Sequence, residues 1–419
     1  MVSHEDRVLY TEKVIEASWR GGSLEINMAS SMVRGIRFFD KGCWGIASSQ
    51  GIHISNEELR NLALKNLRTC LSAGRQQVTE LAEVKVYRGK VVLGKEPTID
   101  ELRELIESFI SKAANISELV VTNYSTYRRI EGCEGACEEY KNVIEVMMSI
   151  SIPGPYRIGV GTASLAYAGT IKDFNDRKIS ELLNLAEERA SANARAKALD
   201  PFSRGKWTII LDHECSGALF HELSHLLEAD ALKHLRPGTR ITTLDLNIHD
   251  DPLHPWSPSL RFFDDEQVPT FKRVLVEDGT IIDLLHTRST ASLYEDAKPG
   301  SSRGLFHMPK AMHSTLIIGP GDWRTKEIIE ESKKAILVSG VIRAELYEGL
   351  ISIVPEVAWI IENGEIKSPV FIRGIKLPLV HALSKISAMG RDLRLRYSFE
   401  KGHIIAEASP YIRLEGYVE

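Results

Sequence analysis

The 419-residue chain carries 52 Lys and Arg against 57 Asp and Glu, a formal net charge of −5, which leaves no global basic field to hold nucleic acid nonspecifically. With 43% hydrophobic and 26% charged residues it is ordinary globular material, excluding disordered and collagen-like classes, and at roughly 150 residues per domain it suggests two or three domains. No run approaches the roughly 18 apolar residues of a membrane span, and MVSHEDRVLYTEK has no signal-length apolar stretch. Five cysteines, Cys43, Cys70, Cys133, Cys137 and Cys215, are odd in number and scattered, poor material for a disulfide framework, so a cytoplasmic protein is expected.

In chain order, residues 23 to 49 hold short alternating segments around the Asp40-Lys41-Gly42 turn, suiting an antiparallel meander. Ser55 and Glu58 form an S-x-x-E cap before the helix ELRNLALKNLRTCLSA. QQVTELAEVKVYRGKVVL reads as a hairpin around Tyr87-Arg88-Gly89, and Pro97, Thr98 and Glu101 open the helix IDELRELIESFISKAA. LVVTNYSTYRRIEG, NVIEVMMSISI and YRIGVGTASLAYAG read as a meander, closed by an amphipathic helix from Asp173 to Ala198. The breaker-rich stretch Asp200 to Lys206 precedes the apolar strand WTIIL and is the natural boundary. Beyond it, Glu277-Asp278-Gly279-Thr280 and Glu362-Asn363-Gly364-Glu365 are hairpin signals, with helical patterns at Ser216 to Leu232, Thr325 to Leu337 and Leu379 to Ala388. The expected fold is α+β in two domains: an amino-terminal α/β domain over 1–200, with antiparallel sheets and helices, and a β-rich carboxyl-terminal domain over 201–419 that carries the candidate metal-site helix.

One constellation carries chemistry. His221-Glu222-Leu223-Ser224-His225 is an H-E-x-x-H motif; on a helix, four residues advance about one turn, so both imidazoles can meet one cation with Glu222 beside them as general base. Against a chance match stand Leu219, Phe220, Leu223, Leu226 and Leu227, whose apolar surface predicts burial, where two imidazoles and a carboxylate need partners. Glu228 shares the face of His225, but roughly 10 Å of helix rise separates it from His221, so a role orienting an imidazole fits it better than ligation. No cysteine follows Cys215, so a third ligand must be another side chain from a distant segment. His403, after a glycine in EKGHII, ranks first; His286, His307 and His313 compete. Cys133 and Cys137 lack a second ligand pair, His213-Glu214-Cys215 reads as the connection into the helix, and Asp264-Asp265-Glu266 reads as a solvated loop.

WTIILDHECSGALFHELSHLLEAD resembles the metal-site segment of the TldD/PmbA family, an apolar strand, a turn, an HE motif and LE-x-D. FFDDEQVPTFKRVLVEDGTIIDLLHTRSTASL, VAWIIENGEIKSPV and SAMGRDLRL are similar to that family's later blocks, and VRGIRFFDKGCWGIASSQ to its glycine-rich amino-terminal strands, so the resemblance spans nearly the whole chain. It implies a soluble zinc peptidase acting on small peptides or unfolded polypeptides, a homodimer or a heterodimer with a homologous subunit; from the charge and the lack of an apolar span, no nucleic-acid or membrane partner is expected. It also implies His221 and His225 as Zn2+ ligands and Glu222 as catalytic base. Two residues separate Glu222 from His225, where the family has three, and RYSFEKGHII is shorter than the family's loop and lacks its cysteine ligand. The rival reading is therefore a non-catalytic binding subunit with an incomplete site. A regulator docking on a nucleic-acid enzyme is a third class, to which the charge lends nothing.

Overall fold

The computed structural model describes residues 4–51, 54–74, 78, 80–155, 157–232 and 235–419. The fold is mixed α/β and mostly strand. Its first half is a seven-stranded sheet of β1 (His4–Arg20), β2 (Ser23–Asp40), β3 (Cys43–Gln50), β4 (Gly89–Leu93), β5 (Ile116–Gly132), β6 (Gly135–Pro153) and β7 (Ile158–Ala168). The spatial order is β3-β2-β1-β5-β6-β4, with β7 also on β6. β1 pairs with β2 residue by residue from His4↔Phe39 to Arg20↔Ser23. They close on Gly21 and Gly22, with φ of 57° and 89°, a backbone region that glycine enters without a Cβ clash.

The sequence reading passed over β1, because most of its residues are half-buried and the polar–apolar alternation is correspondingly blurred. The expected hairpin around Tyr87 is also absent. Residues 81–88 pair in no strand, and β4 instead runs parallel to β6 from Gly89↔Cys137. Tertiary contacts claim the segment: the Tyr87 N–H donates to the Gln267 carbonyl at 2.7 Å and its ring stacks on Phe263. Residues 75–77 and 79, at the start of that expected hairpin, lie outside the described residues.

Helices cover this sheet where the caps predicted them. In α1 (Asn56–Ala73) and α2 (Ile99–Ile110), Ser55/Glu58 and Thr98/Glu101 form complete capping boxes, satisfying otherwise orphaned amides. α1 buries Leu59, Ala63 and Leu67 against Ile36 and Phe38. Here the cysteine expectation is corrected: Cys43 and Cys70 form a disulfide pinning α1 to β3, because the helix sets Cys70 over the strand with Cα atoms 5.7 Å apart. Cys133, Cys137 and Cys215 stay free, and the pairing removes the basis for inferring a reducing compartment. α3 (Asp176–Arg195) lies on β7 through small residues. A Cβ on Gly161 would stand 2.1 Å from the Ala186 carbonyl oxygen and 2.2 Å from the Ala190 nitrogen.

The second half supplies two further large sheets. In one, Gly205–Leu211 lies between Lys334–Tyr347 and Ile412–Val418; in the other, Thr315–Ile318 joins Ile248–Asp250 to the hairpin Arg394–Glu400/His403–Ser409. Lys197–Ala198, just ahead of the Asp200 breaker, pairs with Val370–Phe371 of this half. Between the two sheets runs α4 (His213–Ser224), packed on Lys334–Tyr347 at one side and on His403–Ser409 at the other. Two expected helices shrink to Thr325–Glu330 and Leu379–Ser384; the apolar residues after Thr325–Glu330 belong to the strand Lys334–Tyr347. Among the described residues no helix is long and apolar enough to cross a membrane.

Candidate metal centre

Local sequence sets the helix. Trp207, Ile209, Ile210 and Leu211 are the buried residues of the strand Gly205–Leu211, and Asp212 ends it by accepting a hydrogen bond from the Cys215 N–H at 2.8 Å as the α4 N-cap. Every residue from Cys215 to Ser224 is buried. The helix is shorter than the expected Ser216 to Leu232, but His225 keeps helical dihedrals at its C-cap, φ −62° and ψ −24°. His221 and His225 therefore stay one turn apart on one face, their rings 5.1 Å apart and nearly perpendicular.

Each imidazole is oriented by a carboxylate. His221 Nδ1 lies 2.8 Å from Glu407 Oε1 and His225 Nδ1 2.9 Å from Glu228 Oε1. An acceptor carboxylate at Nδ1 fixes the proton there and leaves Nε2 with its lone pair outward, the arrangement that metal-ligating histidines use. Ligand atoms of His221, His225 and Glu400 all lie within 4.8 Å of one another. Two imidazole nitrogens and a carboxylate oxygen are the donor set of a three-ligand catalytic zinc site, so these residues fit the ion. The hydrogen bond to Glu228 raises the His225 pKa, with burial opposing. Burial would raise the Glu400 carboxyl, but its bond from Lys401 and the nearby imidazoles outweigh that and lower it.

A second group, His221, His313 and Glu407, is equally close but is already committed to hydrogen bonding. His313 Nε2 lies 3.2 Å from the same Glu407 oxygen, and its Nδ1 lies 3.0 Å from Ser224 Oγ. Glu407 is wholly buried. Burial pushes its carboxyl up, yet Arg396, His221 and His313 overcome that and hold it well below the usual carboxylate range. It is an ionised anchor behind His221.

Of the residues expected from sequence, the fold brings together His221, Glu222 and His225; Glu222 is 7% exposed. His403 joins neither group. It faces Glu400 across the Lys401-Gly402 turn and lines a cavity with Tyr10, Arg128 and Asp265. There burial, reinforced by Arg261 and Arg303, lowers its pKa to about 3 against the pull of Asp265. Of its competitors, His307 is exposed and His286 bonds Thr290. On the hairpin that carries His403, the residue whose ligand atom lies near both imidazoles is Glu400, which the sequence pattern did not single out. Glu407 did leave a signal, a lone acid in the apolar strand HIIAEAS, which in a buried strand demands a cationic or imidazole partner.

Asp264-Asp265-Glu266 is not the expected solvated loop: all three are buried, at 0%, 1% and 3% exposure. Asp264 accepts from the amides of Glu266, Val268 and Ser302. Asp265 takes Arg128 at 2.7 Å and Arg261 at 3.3 Å, while Glu266 accepts from the Arg288 amide. Burial lifts the Glu266 carboxyl to about 7. The triplet forms a polar seam between the first sheet and the second half.

Sheets closing around a buried HExxH helix, with carboxylates behind each imidazole, define a strand-rich α/β protein with a candidate metal centre in its second half. Residues 204–416 match the PmbA/TldA metallopeptidase C-terminal domain, half of the chain, and the protein belongs to the TldD/PmbA family. It is 26% identical over 396 residues to a metalloprotease of Methanocaldococcus jannaschii, covering 87% of this chain and 84% of that one. A zinc metalloprotease TldD homolog of Saccharolobus solfataricus is 29% identical over 227 residues, 50% of this chain and 51% of that one. The crystal structure of TldE from Thermococcus kodakarensis superposes with a TM-score of 0.74 at 17% identity, covering 100% of this chain and 96% of that one; at that identity the likeness concerns the fold.

Proposed function

We propose that this protein is a zinc-dependent peptidase that hydrolyses small or unfolded peptides, with His221, His225 and Glu400 holding the ion and Glu222 as general base. The observation that carries the reading is the matched pair of imidazoles, each with Nδ1 on its own carboxylate and Nε2 left for a ligand. The metalloprotease relatives support it. Bound zinc would supply Lewis acidity, polarising a scissile carbonyl and making water a better nucleophile near neutral pH. Glu222, adjacent to His221 on α4 and 7% exposed, accepts the proton of the attacking water and returns it to the leaving amine. Glu228 and Glu407 hold the rings in orientation, and Leu219, Phe220 and Leu223 anchor α4 in the hydrophobic core. Glu400 in place of His403 is this reading's third ligand, because among the described residues its carboxylate is the one grouped with both imidazoles within 4.8 Å. A homodimer, or a heterodimer with a homologous subunit, is the expected assembly.

One observation favours a non-catalytic subunit instead: Lys401 Nζ sits 3.0 Å from Glu400 Oε1, so one carboxylate oxygen is already paired with an ammonium and the charge left for a cation is reduced. The test is peptide cleavage by zinc-loaded wild type and Glu222→Gln. Chelator-sensitive cleavage that falls by at least about 100-fold in the variant, with zinc content unchanged, upholds the peptidase. Zinc retained without cleavage of any unfolded peptide assigns the binding-subunit role.

A further inference from the structure

Beside the candidate metal centre, the junction of the first sheet with the second half encloses a cavity of about 390 Å³. Phe399 and Lys401, the neighbours of Glu400 in the chain, are part of its wall, with Tyr10 and Tyr124 from the first sheet opposite. The cavity therefore begins where the ligand set ends.

Its polar side is short of counter-charge. Arg128 is fully engaged, by Glu139 at 2.9 and 3.2 Å and by Asp265 at 2.7 Å. Arg261, 8% exposed, must share that same Asp265 oxygen at 3.3 Å, and its buried Nε has no partner. Among the described residues Lys141 donates to two backbone carbonyls, Pro258 at 3.1 Å and Leu260 at 3.5 Å, and feels the charge of Glu139 without a hydrogen bond to it. Three cations thus meet two carboxylates on this side. The remaining lining carboxylate, Glu12, is held by the Tyr10 hydroxyl at 3.1 Å. A sheltered guanidinium with an unused donor, and an ammonium whose neighbouring carboxylate Glu139 is already hydrogen-bonded to Arg128, favour an incoming anion, and the aromatic wall suits an apolar group attached to it.

We propose that this cavity is a substrate subsite for a peptide-borne carboxylate, received by Arg261 and Lys141, with the adjoining side chain lodged between Tyr10, Tyr124 and Phe399. The proposal rests on the peptidase reading above and adds the chemical class of peptide that the site selects. The carboxylate comes from a chain terminus or from an Asp or Glu side chain, and the test separates these sources.

The test measures binding rather than turnover, by fluorescence anisotropy on the full-length Glu222→Gln protein loaded with zinc. Three labelled pentapeptides serve as probes: one ending in Phe as the free acid, the same peptide as its amide, and an amide with an internal Asp. The free acid should bind about tenfold more tightly than the plain amide, and Arg261→Met or Lys141→Gln should bring the ratio of free-acid to amide affinity toward one. A margin for the Asp-containing amide alone would assign the side-chain source. Equal binding of all three probes, or a margin that survives in both variants, overturns the proposal. Absence of cleavage in the wild type would overturn the peptidase reading without touching these binding results, so the two failures are distinguishable.

Discussion

At the scale of single residues, the candidate centre is a set of hydrogen-bonded pairs, and its predictions concern which partner matters. Glu400 and His403 face each other across one turn, yet only Glu400 shares space with both imidazoles. Glu400→Ala should weaken zinc binding by at least about tenfold, and His403→Ala should leave it within a few-fold; competition with a colorimetric chelator reads both, and the reverse order would restore His403 as the ligand. Glu228→Gln keeps the side-chain shape but removes the charge behind His225, and it should cost about 10- to 100-fold in zinc affinity. An unchanged affinity in the same competition assay would show that the 2.9 Å contact does not tune the ring.

At the scale of elements, what was legible depended on whether a local signal decided the structure. Caps were local: Ser55/Glu58 and Thr98/Glu101 marked both helix starts, and the HExxH spacing placed two rings on one face. Long-range packing was not legible. The hairpin expected at Tyr87 yielded to contacts with Gln267 and Phe263, more than 170 positions away in the chain. The Asp264-Asp265-Glu266 run reads as solvated until Arg128, Arg261 and Arg288 are brought to it by the fold. The same held for the site: the pair on α4 was visible, whereas Glu400 and Glu407 arrive on a hairpin about 180 residues later whose register no spacing rule reveals. Small residues give a further element-level test. Gly161→Ala would drive its Cβ into the α3 backbone at Ala186 and Ala190, and overpacking of this kind costs about 1–3 kcal/mol. A denaturation midpoint lower than the wild type's should report it, and an unchanged midpoint would mean that α3 stands off β7 in solution.

At the scale of the whole molecule, the first sheet and the second half meet through buried charge rather than an apolar seam alone. Arg128 of β5 joins Glu139 of its own sheet to Asp265 and to the Phe263 carbonyl of the second half, and removing one member of such a network strands the others without solvent. His403 sits in the same junction, with its pKa depressed to about 3. A histidine whose folded pKa lies below its unfolded value near 6.5 contributes stability that is present above about pH 6.5 and is lost as pH falls toward 3. His403→Gln should therefore flatten the loss of stability between about pH 6.5 and 5, the part of the acid limb that precedes carboxylate protonation. An identical pH profile for the variant would place the depressed group elsewhere.

The proposed function depends on one short helix and its C-cap, which present two imidazoles on one side, each ring backed by its own acid. Calorimetric titration of the metal-stripped protein with zinc, run alongside His221→Ala and His225→Ala, reads that arrangement directly. One equivalent bound by the wild type and none by either variant is the predicted result; no binding by the wild type, or wild-type binding in the variants, would contradict it.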